Sequence, residues 1–269
     1  MTEGAGNVLK IRVFPTAQVA ATYVAALTEK IVESRSTPVL GLATGETVIP
    51  YYRALVELAA CGLDLSRTQT FNLDEYVGLS RDHPQSYHAF MQHYLFGKVN
   101  LHPDRTFIPD GMAQDLPAEC RRYETLLQTH PADLQVLGIG MNGHIGFNEP
   151  GNELEPQTHV VELSPTTISR NARYFNRFDE MPTRAITMGV QSILRAHQII
   201  LMAFGEDKAS IVAKTYVSNV TADIPASILH LHPNVTMVLD RDSAKHLPLF
   251  RETRGEEEDS WTNMLLEST

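Results

Sequence analysis

A chain of 269 residues with 43% hydrophobic side chains can bury a sizeable core and has the make-up of an ordinary globule rather than a disordered chain. Its 32 acidic against 22 basic residues give a net charge of −10, which argues against broad binding of a nucleic-acid backbone but leaves room for a small phosphorylated ligand. No uncharged apolar run approaches the roughly 20 residues that span a bilayer, and residues 1–7 lack the features of a signal peptide, so a cytoplasmic protein without membrane contact is expected.

Residues 8–14 read as a strand and 16–34 as a helix with apolar residues at helical spacing. PVLGLA at 38–43 is a continuous apolar run, the pattern of a strand covered on both faces, and 50–60 is helical again. Residues 68–73 suggest a strand, 85–96 and 118–129 helices, and LQVLGI at 134–139 a second fully buried strand. Strands follow at 159–163, 185–188, 197–204 and 235–239, with a helix at 206–217 between the last two. This alternation predicts an α/β protein with a mainly parallel sheet and helices on both of its faces. No repeat or long linker divides the chain, so 1–254 is expected to form one α/β domain, followed by a solvated acidic tail at 255–269 with an apolar end. Cys61 and Cys120, without CxxC spacing, read as buried or partly buried thiols of a reducing compartment.

In an open parallel sheet, ligands sit beyond the carboxyl ends of the strands. Four predicted strands end at that edge in polar or glycine-rich segments: Thr44-Gly45-Glu46-Thr47, Asp74-Glu75-Tyr76, Gly140-Met141-Asn142-Gly143-His144 and Gly205-Glu206-Asp207-Lys208. One site built from four loops is the economical reading. The first loop leads into a helix, where backbone N–H groups and the dipole suit a phosphate. A plain connecting turn fits it equally, and the Glu46 carboxylate repels a phosphate unless it points away. Lys208 falls in the first turn of its helix, where a cation opposes the dipole unless an anion shares that end; a solvated surface lysine is the alternative.

Glycines flank His144, and Glu149 follows five residues later, near enough to orient an imidazole and hold its charge. An incidental loop histidine is the bland alternative, and a metal site is disfavoured because no HxxxH or HxH partner accompanies the pair. His230 and His232 form an HxH pair, but adjacent Pro233 suggests a surface turn. Asp74 and Glu75 are adjacent, so one of them is expected to enter the site; either could be a simple turn or cap acid.

These segments together resemble the glucosamine-6-phosphate deaminase (isomerase) family. The resemblance lies in FNLDEYVGL at 71–79 followed by HPQSY at 83–87, in LGIGMNGHIGFNEPG at 137–151, and in PASILHLHPNVTMVLD near the end. It runs from about residue 8 to about residue 246. It implies a three-layer α/β/α modified Rossmann-like fold. It also implies isomerisation and deamination of glucosamine 6-phosphate to fructose 6-phosphate and ammonia, with no metal, nicotinamide or pyridoxal phosphate. Carried over, Asp74 is the acceptor of the carbon 2 proton, His144 opens the sugar ring and Glu149 orients His144. Asn142 stands where some members carry aspartate and others asparagine, so His144 is expected to depend more on Glu149. The phosphate falls to the backbone of Thr44, Gly45, Glu46 and Thr47, to Lys208, and to Arg173 within SRNARYF. Glu46 replaces a glycine often found in that loop.

Some family members are hexamers activated by an N-acetylated sugar phosphate, through basic side chains just after the ring-opening loop. Residues 158–163 hold no Lys or Arg, so that activation is expected to be missing, while a homo-oligomer stays open. The stretch 162–182, with Arg170, Asn171 and Arg173, is a candidate lid over the phosphate. Three alternatives stand beside this reading: a galactosamine 6-phosphate deaminase, a 6-phosphogluconolactonase on a related fold, and a sugar-phosphate-sensing regulator module. The last wants a DNA-binding helical segment at one terminus, which is not expected here.

Overall fold

Short polar residues placed just ahead of apolar helical runs set where the helices begin. Thr16, Ser86, Asp115 and Ser164 each accept a backbone N–H three residues on, the N-cap bond that satisfies an otherwise orphaned donor. The computed structural model describes residues 9–175, 177 and 180–248; the acidic tail read at 255–269 lies outside them. The strands are β1 (Lys10–Phe14), β2 (Val39–Leu42), β3 (Gln69–Asn72), β4 (Asp74–Tyr76), β5 (Thr106–Phe107), β6 (Leu134–Gly138), β7 (His159–Glu162), β8 (Arg184–Thr187), β9 (Ile199–Ala203) and β10 (Val235–Asp240). The helices are α1 (Ala17–Ser34), α2 (Ile49–Ala60), α3 (Tyr87–Tyr94), α4 (Leu116–Thr129), α5 (Pro165–Asn171), α6 (Val190–Leu194), α7 (Ala209–Val217) and α8 (Arg241–Ala244).

Among the described residues, seven strands make one sheet in the order β1-β10-β9-β6-β2-β3-β5, every neighbouring pair parallel. The chain steps outward from β1 to β2, β3 and β5, then back through β6, β9 and β10. Right-handed crossovers therefore put α1 to α3 on one face and α4, α6 and α7 on the other. The result is the three-layer, Rossmann-like arrangement expected, with the direction of winding reversing between β2 and β6. That reversal opens a crevice at the carboxyl ends of these two strands.

The strands read at 159–163 and 185–188 do not join this sheet. They are β7 and β8, which with β4 form a separate antiparallel sheet in the order β4-β8-β7. A strand's own pattern of residues does not state the direction of its partner, and the second sheet was not foreseen for that reason. Two cores follow from the two sheets. The large one fills the parallel sheet, where β9 and β10 are buried along their whole length. The small one gathers Tyr76, Leu79, Phe147, Leu163, Met181 and Ala185 beside the antiparallel sheet. Cys61, at the end of α2, is exposed rather than buried, Cys120 is buried, and both are free thiols. Among the described residues no helix is long and apolar enough to cross a membrane.

Candidate active site

β2 and β9 leave the sheet by the same device. Gly45 (φ 99) and Gly205 (φ 87) take the left-handed conformation that side chains avoid, each then entering a 3-10 turn, Glu46–Val48 or Glu206–Lys208, that runs into α2 or α7. The first turn packs against β9, so the two loops are neighbours at one sheet edge. Lys208 is 8% exposed, and its Nζ donates to the Ile139 carbonyl at 2.8 Å. Burial, with the charge of Arg170, lowers its pKa. It is therefore no solvated surface lysine: it ties the end of β6 to the start of α7.

Glu46 does not point away from cations. Its Oε1 lies 3.1 Å from Arg173 Nη2 and accepts the Tyr174 hydroxyl at 2.7 Å, with the Arg173 guanidinium 4.7 Å above the Tyr174 ring. Arg170 Nη2 similarly lies 3.4 Å from Asp207, beside Lys208. Arg170 and Arg173 of the candidate lid thus reach the two loops, and each meets a carboxylate there. Thr44 precedes the turn after β2 and Thr47 lies within it, both half-buried.

The acids at 74 and 75 part company because adjacent strand residues face opposite ways. Glu75 accepts the N–H groups of Tyr76, Tyr87 and His88 at 2.8, 2.9 and 2.9 Å, and so anchors the start of α3. Burial raises its carboxyl against those three donors. Asp74 turns to the other side, 5% exposed, and among the described residues it takes no side-chain hydrogen bond. A Cβ added to Gly146 would stand 3.4 Å from its Oδ2, so the carboxylate faces the loop that carries His144. Burial, helped by the Glu75 charge, pushes Asp74 up to about 8.

That loop presents a histidine on a braced carboxylate. His144 Nδ1 lies 3.3 Å from Glu149 Oε2, with side-chain exposures of 24% and 9%. Asn142 donates to the same oxygen at 2.6 Å and accepts the His144 N–H at 3.2 Å. On the far oxygen, Oε1 accepts the Thr167 hydroxyl from α5. Burial alone would raise Glu149, but the bond and charge of His144, with Thr167 and Asn142, hold it at about 2. Gly140 is needed for space, since a Cβ there would lie 2.4 Å from the imidazole ring.

All ten residues singled out from the sequence gather at the carboxyl edge of the parallel sheet or in the segments that reach it. Two contributors were missed, Thr167 and Tyr174, while Glu75 takes the cap-acid reading left open for it. The surface turn expected at His230 and His232 is a correction. His232 is 5% exposed and bonds the Ala196 carbonyl at 2.7 Å, while His230 bonds the Thr215 carbonyl at 2.8 Å. Both brace the packing of the 3-10 turn Pro225–Leu231. A cavity of about 360 Å³ beside β7 is lined by Glu149, Glu153, Glu155, His159 and Glu162, with no lysine or arginine in its wall. A second, about 390 Å³, lies at the amino ends of β2 and β3, the edge away from this chemistry.

Over residues 15–238 the chain matches the family described as glucosamine-6-phosphate isomerases/6-phosphogluconolactonase. It is 46% identical over 226 residues to a glucosamine-6-phosphate deaminase of Thermoanaerobacter pseudethanolicus, covering 83% of this chain and 89% of that protein. It is 47% identical over 226 residues to glucosamine-6-phosphate deaminase 1 of Bacillus subtilis, covering 83% and 93%. The solved structure of a monomeric glucosamine-6-phosphate deaminase matches with a TM-score of 0.86 at 44% identity, over 88% of this chain and 100% of that one. A 6-phosphogluconolactonase from Trypanosoma brucei matches with a TM-score of 0.69 at 20% identity, over 89% and 98%, and shares the fold alone.

Proposed function

Since the chain belongs to the family of glucosamine-6-phosphate isomerases and 6-phosphogluconolactonases, and its near relatives are glucosamine-6-phosphate deaminases, we infer that it turns glucosamine 6-phosphate into fructose 6-phosphate and ammonia. The observation that favours this over lactone hydrolysis is Asp74, a buried carboxylate with no side-chain hydrogen bond among the described residues, facing Gly146 in the loop that carries His144 and Glu149. Hydrolysing a lactone does not require a base aimed at a C–H bond. Removing a proton beside a carbonyl does.

The phosphate is held by the N–H groups at 44–47, by Lys208, and by Arg173 as it exchanges Glu46 for the ligand. That anchor holds the reacting end in place. His144 moves a proton between the ring oxygen and the anomeric hydroxyl, and the ionised Glu149 stabilises the imidazolium that forms on the way. Asp74 takes the proton from carbon 2 of the opened aldehyde and returns it to carbon 1. The resulting carbon 2 imine adds water, and the carbinolamine expels ammonia. Only the carboxylate form of Asp74 can begin this sequence, so kcat/KM is expected to rise with pH through the raised Asp74 pKa of about 8.

The test is ammonia release from glucosamine 6-phosphate by the parent, Asp74→Asn and His144→Gln. Each variant is expected to lose about a hundredfold or more; an Asp74→Asn variant with parental activity overturns the assignment. Running galactosamine 6-phosphate in parallel decides the epimer. The acidic wall of the cavity beside β7 supports a rate curve unaffected by N-acetylglucosamine 6-phosphate, and a sigmoidal curve made hyperbolic by it would refute that point. A cytoplasmic place of action is part of the proposal.

A further inference from the structure

The segment after β7 touches three separate loops with one face. α5 and the 3-10 turn Ala172–Tyr174 carry Thr167, Arg170 and Arg173, spaced three apart, so they line up along one side as the helix tightens. Each meets a carboxylate in a different part of the site. Thr167 donates to Glu149 in the ring-opening loop, Arg170 reaches Asp207 beside Lys208, and Arg173 reaches Glu46 in the loop after β2. The opposite side is fixed to the small core through Ile168 and Ala172, and Asn171 donates to the Tyr76 hydroxyl at 2.9 Å.

Thr167 is the member whose geometry is most constrained. It is 6% exposed, and its N–H is capped by Ser164 Oγ at 3.2 Å. The Ser164 hydroxyl in turn donates to Thr167 Oγ1 at 3.0 Å, which leaves the Thr167 proton for Glu149. Glu149 therefore has His144 and Asn142 on one oxygen and α5 on the other. A carboxylate gripped from both ends cannot rotate away from the imidazole without breaking a buried bond.

We propose that Thr167 is a positioning residue that makes ring opening depend on the seating of α5, the same element whose arginines answer to the phosphate end of the substrate. The two ends of the sugar phosphate are in this way connected through one short helix, and a substrate that engages Arg173 also steadies Glu149. The kinetic part of this inference rests on the deaminase reading; the Thr167–Glu149 link itself does not.

The experiment compares the parent with Thr167→Val, nearly the same shape without the hydroxyl, and Thr167→Ser, which keeps it. Thr167→Val is expected to lower kcat about tenfold or more while KM moves less than about threefold, and Thr167→Ser to recover most of the loss. With substrate deuterated at carbon 2, the isotope effect on kcat is expected to shrink in Thr167→Val, because ring opening then limits turnover. Independently of turnover, carbon-13 NMR of glutamate-labelled protein, assigned with Glu149→Gln, reads the Glu149 carboxyl directly. At about pH 4 it is expected to be ionised in the parent and partly protonated in Thr167→Val. An unchanged Glu149 signal overturns the link, and so does a loss of kcat that leaves both that signal and the isotope effect at parental values. If the parent releases no ammonia, the deaminase reading fails while the Glu149 signal still decides the link.

Discussion

Asp74 is a buried and Glu149 a half-buried carboxylate at one sheet edge, and one is pushed up to about 8 while the other is held at about 2. Burial raises both, more so the deeper Asp74, and at Glu149 it is outweighed by three donors and the His144 charge, whereas Asp74 has no donor among the described residues. The sign of the cost follows. An unfolded Asp74 titrates near its ordinary 3.8, the folded one near about 8, so its contribution to stability is complete below the first value and lost as pH rises through the second. Asp74→Asn is therefore expected to melt several degrees higher than the parent at neutral pH while losing turnover, with the gap closing in acid; thermal melts across that range check it. Gly140→Ala pushes the imidazole off Glu149 and is expected to lower kcat about a hundredfold with little change in melting temperature. Glu46→Gln removes the rival anion at Arg173, and KM is expected to fall roughly two- to fivefold, the scale of an exposed ion pair. Flanking glycines made His144, with Glu149 five residues on, legible in the sequence, whereas the strand end marked Asp74 and Glu75 alike and only the family resemblance chose Asp74. Thr167 was not legible, because its partner is 18 residues away and a threonine in the first turn of a helix reads as ordinary capping.

Long elements announce themselves by period, and the helices and buried strands of the parallel sheet fall within a few residues of where the apolar spacing puts them. The short ones do not. β4, β5, α5, α6 and α8 each span too few residues to display a repeat, and their positions come from what they pack against. One buried side chain shows how such pieces are held. Glu124 of α4 accepts from the Thr158 N–H at 3.0 Å and hydroxyl at 2.9 Å, from Ser192 of α6 at 2.6 Å, and from Arg195 at 2.5 Å. Burial would raise its carboxyl, but these donors outweigh that and hold it at about 2. Its stabilisation is thus present above the ordinary carboxylate range and lost as pH falls toward that value. Glu124→Gln leaves Arg195 without its counter-charge and is expected to cost about 3 kcal/mol at neutral pH, with a smaller deficit in acid; denaturant melts at two pH values check both parts.

At the level of the whole molecule, alternation of strands and helices was enough to anticipate the parallel sheet and the edge that carries the chemistry. The antiparallel sheet was out of reach, because it joins segments from both sides of the ring-opening loop. Its junction with the larger sheet has a chemical consequence. The chain passes from one sheet to the other at Leu73, whose N–H bonds Leu42 at the end of β2 at 3.0 Å and whose carbonyl accepts Met188 just after β8 at 2.8 Å. The next residue is Asp74. The loops at 44–47 and 205–208, proposed to hold the phosphate, thus stand on one slab and the proposed proton acceptor on the other, with a single residue clamped to both. That offset works as a ruler: a shorter aminosugar phosphate, pinned at one end, holds its reactive C–H short of the mark, and a pentosamine phosphate is expected to bind and yet be turned over poorly.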